Sequence, residues 1–310
     1  MRIVIMGAGG LGGYFGARLA AAGNDVAFVA RGAHLAAIKQ NGLRVTSALG
    51  DLHLRDVVAT DDPSTLAPAD VVIVAVKLWD TDSAAEAVKP LVRSGTAVVS
   101  FQNGVNKDGD LARVLGHDAV IGGVGQIGVV IGSPGVIAHT GTMAKLVFGE
   151  LDNRRSARVE ALLAACTAAG IDAEIADDIG LATWQKFVFL AGMSAATTTM
   201  RSPIGPIRTN PQARSFLLDV VREAVAVGRA LGVPLPEDYA EQRMSFIDGL
   251  PPQMTASMQG DLARGNRLEV PWISGAVVAL GKRAGVATPL NRAVCDVLAL
   301  YVNGSPQPKS

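Results

Sequence analysis

Through roughly the first 150 residues, short apolar runs alternate with segments of helix length. Residues 3–6 predict a buried strand, residues 10–22 a helix and residues 25–30 a second strand. Later runs at 71–76, 97–101 and 119–122 are rich in β-branched residues and separated by helix-length stretches. Strands alternating with helices predict a parallel, doubly wound α/β sheet covered on both faces. Residues 129–147 differ: two apolar runs flank Ser133-Pro134-Gly135, a pattern that predicts a hairpin closing the sheet.

Beyond Asp177 the periodicity changes. Phe216, Leu217, Val220, Val221, Ala224, Val227 and Leu231 recur at helical spacing, with Asn210-Pro211 as a start signal and Gly232-Val233-Pro234 as a stop. Few runs after residue 180 resemble strands. The pattern therefore divides the chain near residues 177–179, into an α/β domain over 1–177 and an all-helical domain over 178–310. The tail from Gly304 reads as disordered.

Composition narrows the function classes. A chain of 310 residues is long enough for two ordinary domains. Charges balance at 28 against 28, with a pI near 6.9, which gives no electrostatic case for nucleic acid or an anionic membrane. No run of about 20 apolar residues is present, and the four-residue run at 3–6 suits a strand better than a signal-peptide core. Cys166 and Cys295 lie far apart and fit neither a disulfide scaffold nor a zinc site, which favours a reducing cytoplasm. His34, His53, His117 and His139 show no ligand spacing, so no metal is expected and structural or surface roles are assigned to them. The oligomeric state, a homo-oligomer included, is left open.

The sharpest motif is Gly7-Ala8-Gly9-Gly10-Leu11-Gly12, directly after the first strand and opening a helix. Gly7 permits a tight turn, Gly9 lets the backbone approach a pyrophosphate, and Gly12 allows helix and strand to pack closely. The phosphates then meet free N–H groups and the positive end of the helix dipole. This is the fingerprint of a Rossmann dinucleotide site. At the end of the second strand, where an NAD site carries an acid, the sequence reads Val29-Ala30-Arg31-Gly32. A guanidinium pairs with a 2′-phosphate that a carboxylate would repel, so NADPH is the expected cofactor. Lys77 and Gln102-Asn103-Gly104 follow two further strands, on the edge where doubly wound sheets bind ligands. Lys77 could reach a ribose or phosphate, and Asn103 the nicotinamide ribose or a substrate oxygen.

Together with Val76-Lys77, Trp184-Gln185-Lys186, and Ser257-Met258-Gln259-Gly260-Asp261 followed by Leu268-Glu269, these motifs make the whole chain resemble the ketopantoate reductase (2-dehydropantoate 2-reductase) family. The resemblance implies reduction of a small-molecule 2-oxo acid by NADPH. It implies that Lys186 donates the proton to the carbonyl oxygen, with partial burial beside Trp184 and Phe187 easing its release. Glu269 looks like the second functional acid, contacting the cofactor ribose or substrate and placed near a helix start by Pro271. Ser257 matches a substrate-contacting position. Asp261, one helical turn on, would share its helical face, with capping or a surface pair an equal alternative.

The chain also departs from the family. Members that reduce ketopantoate carry asparagines four and eight residues after the lysine and another after a downstream proline; here Leu190, Ser194 and, after Pro203, Ile204 stand at those places. A substrate hydroxyl or carboxylate left facing apolar surface there loses about 1–3 kcal/mol per unsatisfied group. A more apolar ketone or imine is therefore an alternative to the family default. So is a β-hydroxy or amino acid dehydrogenase. From another class, a non-catalytic NADPH-sensing protein remains, although such a protein would be expected to have lost Lys186 or Glu269.

Overall fold

The computed structural model describes residues 1–305. They pack as two compact units: residues 1–102 with 107–182, and Asn103–Asn106 with the chain from Thr183 onward. The division falls inside a helix, five residues beyond the 177/178 boundary read from composition.

The first unit runs β1 (Arg2–Met6), α1 (Gly10–Ala21), β2 (Asp25–Val29), α2 (Gly32–Asn41), β3 (Leu43–Thr46), β4 (Leu52–Leu54) and β5 (Val58–Thr60). It continues through β6 (Val71–Val74), α3 (Thr81–Val88), β7 (Ala97–Ser100), α4 (Lys107–Leu115), β8 (Val120–Ser133), β9 (Val136–Glu150), α5 (Ala157–Ala168) and β10 (Asp172–Ile175). The strands form one sheet in the order β4-β3-β9-β8-β7-β6-β1-β2-β5, with β10 on β9. Its β5-β2-β1-β6-β7-β8 part is parallel and reverses direction of winding between β1 and β6, the Rossmann order.

Period-two alternation explains the burial. Ile3, Ile5, Ile73 and Val99 point into one core with Tyr14 and Phe15 of α1. Val4, Met6, Val72 and Val98 point into another with Ala84, Val88 and Leu111 of α3 and α4. Both faces are covered, so both sets of alternate positions are apolar. Helix α1 touches β1 and β2, and also β8, β9, β3 and β4, so the sheet curls around it.

Two parts of this unit differ from the sequence pattern. Strands β3–β5 were not legible in it, although Leu43 and Val45 are buried and Arg44 and Thr46 exposed, as on a half-covered strand. The hairpin is far longer than residues 129–147. Strands β8 and β9 pair from Ile121↔Glu150 to Ser133↔Val136, absorbing the run at 119–122 into the same strand. Gly122, Gly123, Gly125 and Gly128 interrupt the apolar alternation there and hide it.

The second unit holds most of α6 (Ile179–Met200), then α7 (Ile204–Thr209), α8 (Pro211–Ala230), α9 (Tyr239–Asp248), α10 (Ser257–Ala263), α11 (Ser274–Ala284) and α12 (Pro289–Leu298). Among the described residues no strand follows Ile175. Helix α8 starts as its sequence demands: Pro211 occupies the first turn and the Asn210 side chain accepts from the amides of Gln212 and Ala213. Gly304 and Ser305, expected to be disordered, are tied down, the Ser305 amide donating to the Gly265 carbonyl at 3.1 Å. The rest of that tail lies outside the described residues. No described helix is long and apolar enough to cross a membrane.

Candidate active site

The residues singled out in the first unit lie on one edge. Met6 is in register with Val29 and Val74, and Val74 with Ser100. The glycine turn, Arg31, Lys77 and Gln102 therefore follow adjacent parallel strands at their carboxyl ends.

The turn itself is built by sterics. Gly7 has φ +103°, and a Cβ there would lie 2.8 Å from the Val76 nitrogen. A side chain on Gly12 would run into the Gly7 carbonyl oxygen and the Ile5 side chain. Only glycine satisfies both positions. The amides of Gly7 and Ala8 both donate to the Val29 carbonyl, at 3.1 and 2.9 Å. They are spent on holding the turn against β2. The amides left for an anion are those of Gly9, at the N-cap, and of Gly10, Leu11 and Gly12 in the first turn of α1. No acidic residue sits in that first turn, so the residues present fit a pyrophosphate.

Arg31 is exposed and caps α2 in an extended conformation, again with no acid in the following turn. Lys77 is exposed, its Nζ 5.7 Å from the centre of the Trp79 ring. Gln102, not assigned a role from the sequence, is buried and its amide is saturated. Its Nε2 donates to the Val76 carbonyl and to Thr81 Oγ1, both at 2.9 Å, and its Oε1 accepts from Ser100 Oγ at 2.8 Å. One side chain thus locks the ends of β6 and β7 to the start of α3. The only sequence signal for it was a polar residue ending an apolar strand.

In the second unit, α6 carries Lys186, Leu190 and Ser194 at i, i+4 and i+8. Lys186 and Leu190 are half-buried and Ser194 is buried. Trp184 and Phe187, 5.5 Å apart edge to face, flank the lysine. Ile204 is fully buried. It stands at the start of α7. Ser257 is exposed as the first residue of α10, and Glu269 is buried at the N-cap of a short 3-10 turn containing Pro271. The segment leading to Ser257 is stitched within the unit, Ala256 N–H donating to Thr197 Oγ1 at 3.2 Å and Ile204 N–H to the Met254 carbonyl at 2.9 Å. The Asp261 carboxylate pairs with Arg264 at 2.8 Å and accepts from the Asn266 side-chain amide at 3.2 Å where α10 ends. Asn103 is half-buried and belongs to this second unit.

A strand order reversing at a glycine turn with orphan helix amides is the arrangement of a dinucleotide-binding Rossmann unit, and a helical unit follows it in the chain. Comparison with known proteins agrees. Residues 3–153 match the family model "Ketopantoate reductase PanE/ApbA", and residues 178–302 match its C-terminal counterpart. A 2-dehydropantoate 2-reductase of Archaeoglobus fulgidus is 34% identical, covering 96% of this chain and 96% of its own. An uncharacterised oxidoreductase of Bacillus subtilis is 29% identical over 97% of this chain and 99% of its own. The crystal structure of a family member from Ralstonia eutropha superposes with a TM-score of 0.89 at 33% identity, covering 97% of this chain and 98% of the other. The chain belongs to the ketopantoate reductase family, and it is an oxidoreductase that uses a pyridine nucleotide to act on a small molecule.

Proposed function

We propose that the protein reduces the carbonyl of a 2-oxo acid with NADPH, the family default being 2-dehydropantoate to pantoate. The observation that carries this reading is the acid-free glycine turn beside an exposed Arg31 at the adjacent strand end. When bound, the reduced nicotinamide supplies a hydride to the carbonyl carbon. The chain's own residues do the rest. Amides of Gly9–Gly12 hold the pyrophosphate, Arg31 pairs with the 2′-phosphate, and Lys77 and Asn103 contact the ribose and phosphates. Lys186 stabilises the charge that develops on the carbonyl oxygen and gives it a proton from Nζ. Glu269 contacts the cofactor ribose or substrate and helps position Lys186; Ser257 contacts the substrate.

One observation favours a second substrate class. Leu190 presents an aliphatic side chain one turn after the lysine, and the nearby Ser194 is buried, where the default substrate would need amides. A 2-oxo acid with an apolar side chain, or an apolar ketone or imine, loses nothing there. The test is NADPH oxidation followed by absorbance across 2-oxo acids of increasing side-chain hydrophobicity, 2-dehydropantoate included. Lys186→Ala is expected to lower kcat by about 10²–10⁴ on every substrate turned over. Unchanged turnover would remove the lysine from the chemistry.

A further inference from the structure

His34 sits in the first turn of α2, three residues after Arg31, and is half-buried. Its ring is held on both sides. The Gly135 amide donates to Nδ1 at 3.0 Å, and Nε2 lies 2.8 Å from the Ala8 carbonyl oxygen. A backbone N–H can only donate and a carbonyl can only accept, so the ring is neutral imidazole with its hydrogen on Nε2. Ala8 belongs to the glycine turn, and Gly135 to the turn joining β8 and β9. One side chain therefore ties α2, the phosphate turn and the hairpin tip together.

The hairpin is pressed onto the same region at two further points. A Cβ on Gly10 would lie 2.9 Å from the Val129 carbonyl oxygen, and one on Gly13 2.8 Å from Ile137 Cδ1. Strands β8 and β9 thus strap the start of α1, and His34 pins the strap's turn to the Ala8 carbonyl. The consequence for an anion lies in peptide geometry. The Ala8 carbonyl and the Gly9 amide share one planar trans peptide and point in opposite directions. Fixing the carbonyl on His34 fixes the direction of the Gly9 N–H.

We propose that His34 is a positioning residue for the dinucleotide, holding the Ala8–Gly9 peptide so that the amides from Gly9 onward face the pyrophosphate. This rests on the reading of the glycine turn as the pyrophosphate site. The ordinary structural role of a half-buried histidine would stabilise the fold without changing the affinity of folded protein for its ligand.

Calorimetric titration of the full chain with NADPH, and separately with 2′-phospho-ADP-ribose, separates the two. His34→Leu is expected to weaken both by about ten-fold, the loss of one to two oriented hydrogen bonds. His34→Gln, whose amide offers one acceptor and one donor, is expected to restore affinity to within about three-fold. If His34→Leu does not fold, His34→Gln against the shorter His34→Asn decides the question by the same titrations. Wild-type protein that binds neither NADPH nor NADH overturns the reading of the turn, and this inference with it. Wild-type binding that His34→Leu leaves intact, or a variant that only melts earlier, overturns this inference alone.

Discussion

At the scale of single residues, polar side chains stand where the apolar strands β2, β6 and β7 end. In the proposed function, Arg31 is the residue that selects between the two nucleotides. Arg31→Ala is expected to raise the KM for NADPH by about ten-fold or more, the worth of a charge-assisted bidentate pair, while leaving NADH little changed. Steady-state kinetics with the two cofactors measures the ratio directly. Gln102 acts differently, through its bonds to Val76, Thr81 and Ser100. Gln102→Leu leaves Ser100 and Thr81 hydroxyls and a carbonyl without their partner, and a loss of about 1–3 kcal/mol is expected in chemical denaturation. Arg31 was legible in the sequence because its position after β2 has a fixed meaning. The roles of Gln102 and His34 were not, since apart from Ser100 their partners lie 21 to 101 residues away and only the sheet brings them near.

At the scale of elements, the join between β9 and α5 rests on an ion pair between buried Glu150 and half-buried Arg158. Arg158 holds Glu150 with Nε at 2.7 Å and Nη2 at 2.6 Å, while its Nη1 donates to the carbonyls of Thr96 and Asp118, before β7 and β8. Burial pushes the Glu150 carboxyl upward, but the hydrogen bonds from Arg158 and Ser156 and the charge of Arg158 outweigh it and hold its pKa below 4.5. A carboxylate depressed in the folded state contributes stability that is complete above its unfolded value and disappears as pH falls through the folded one. The melting temperature is therefore expected to decline on acidification below about pH 4.5, and Glu150→Gln should flatten that part of the profile. Removing one partner by Arg158→Met strands a buried charge and should cost about 3–5 kcal/mol in denaturant unfolding. Helix α5 was not singled out in the sequence pattern. Nor could the length of the β8–β9 hairpin be read from it, because glycines carry no hydrophobic pattern and its register is settled strand against strand.

For the whole molecule, ligand binding and core integrity can be followed together. Saturating cofactor at about 100 times its Kd stabilises the protein by about 2.7 kcal/mol, so NADPH is expected to raise the melting temperature by several degrees and NADH by less. Cys166 is wholly buried and its thiol is pushed up to about 12 by desolvation. It is expected to resist alkylation at pH 8 in folded protein and to react only with global unfolding, which mass spectrometry of denaturant-pulsed samples would report. By itself the sequence determined the α/β and helical halves, the glycine turn and the family, because apolar periodicity, glycine sterics and fixed motif spacing act over a few residues. Tertiary structure alone decided that Gly7 and Ala8 spend their amides on Val29, that Ile204 is fully buried, and that a hairpin from distant sequence packs on the start of α1. Those outcomes depend on which carbonyls and side chains are brought within 3 Å across the fold, and no local pattern encodes that.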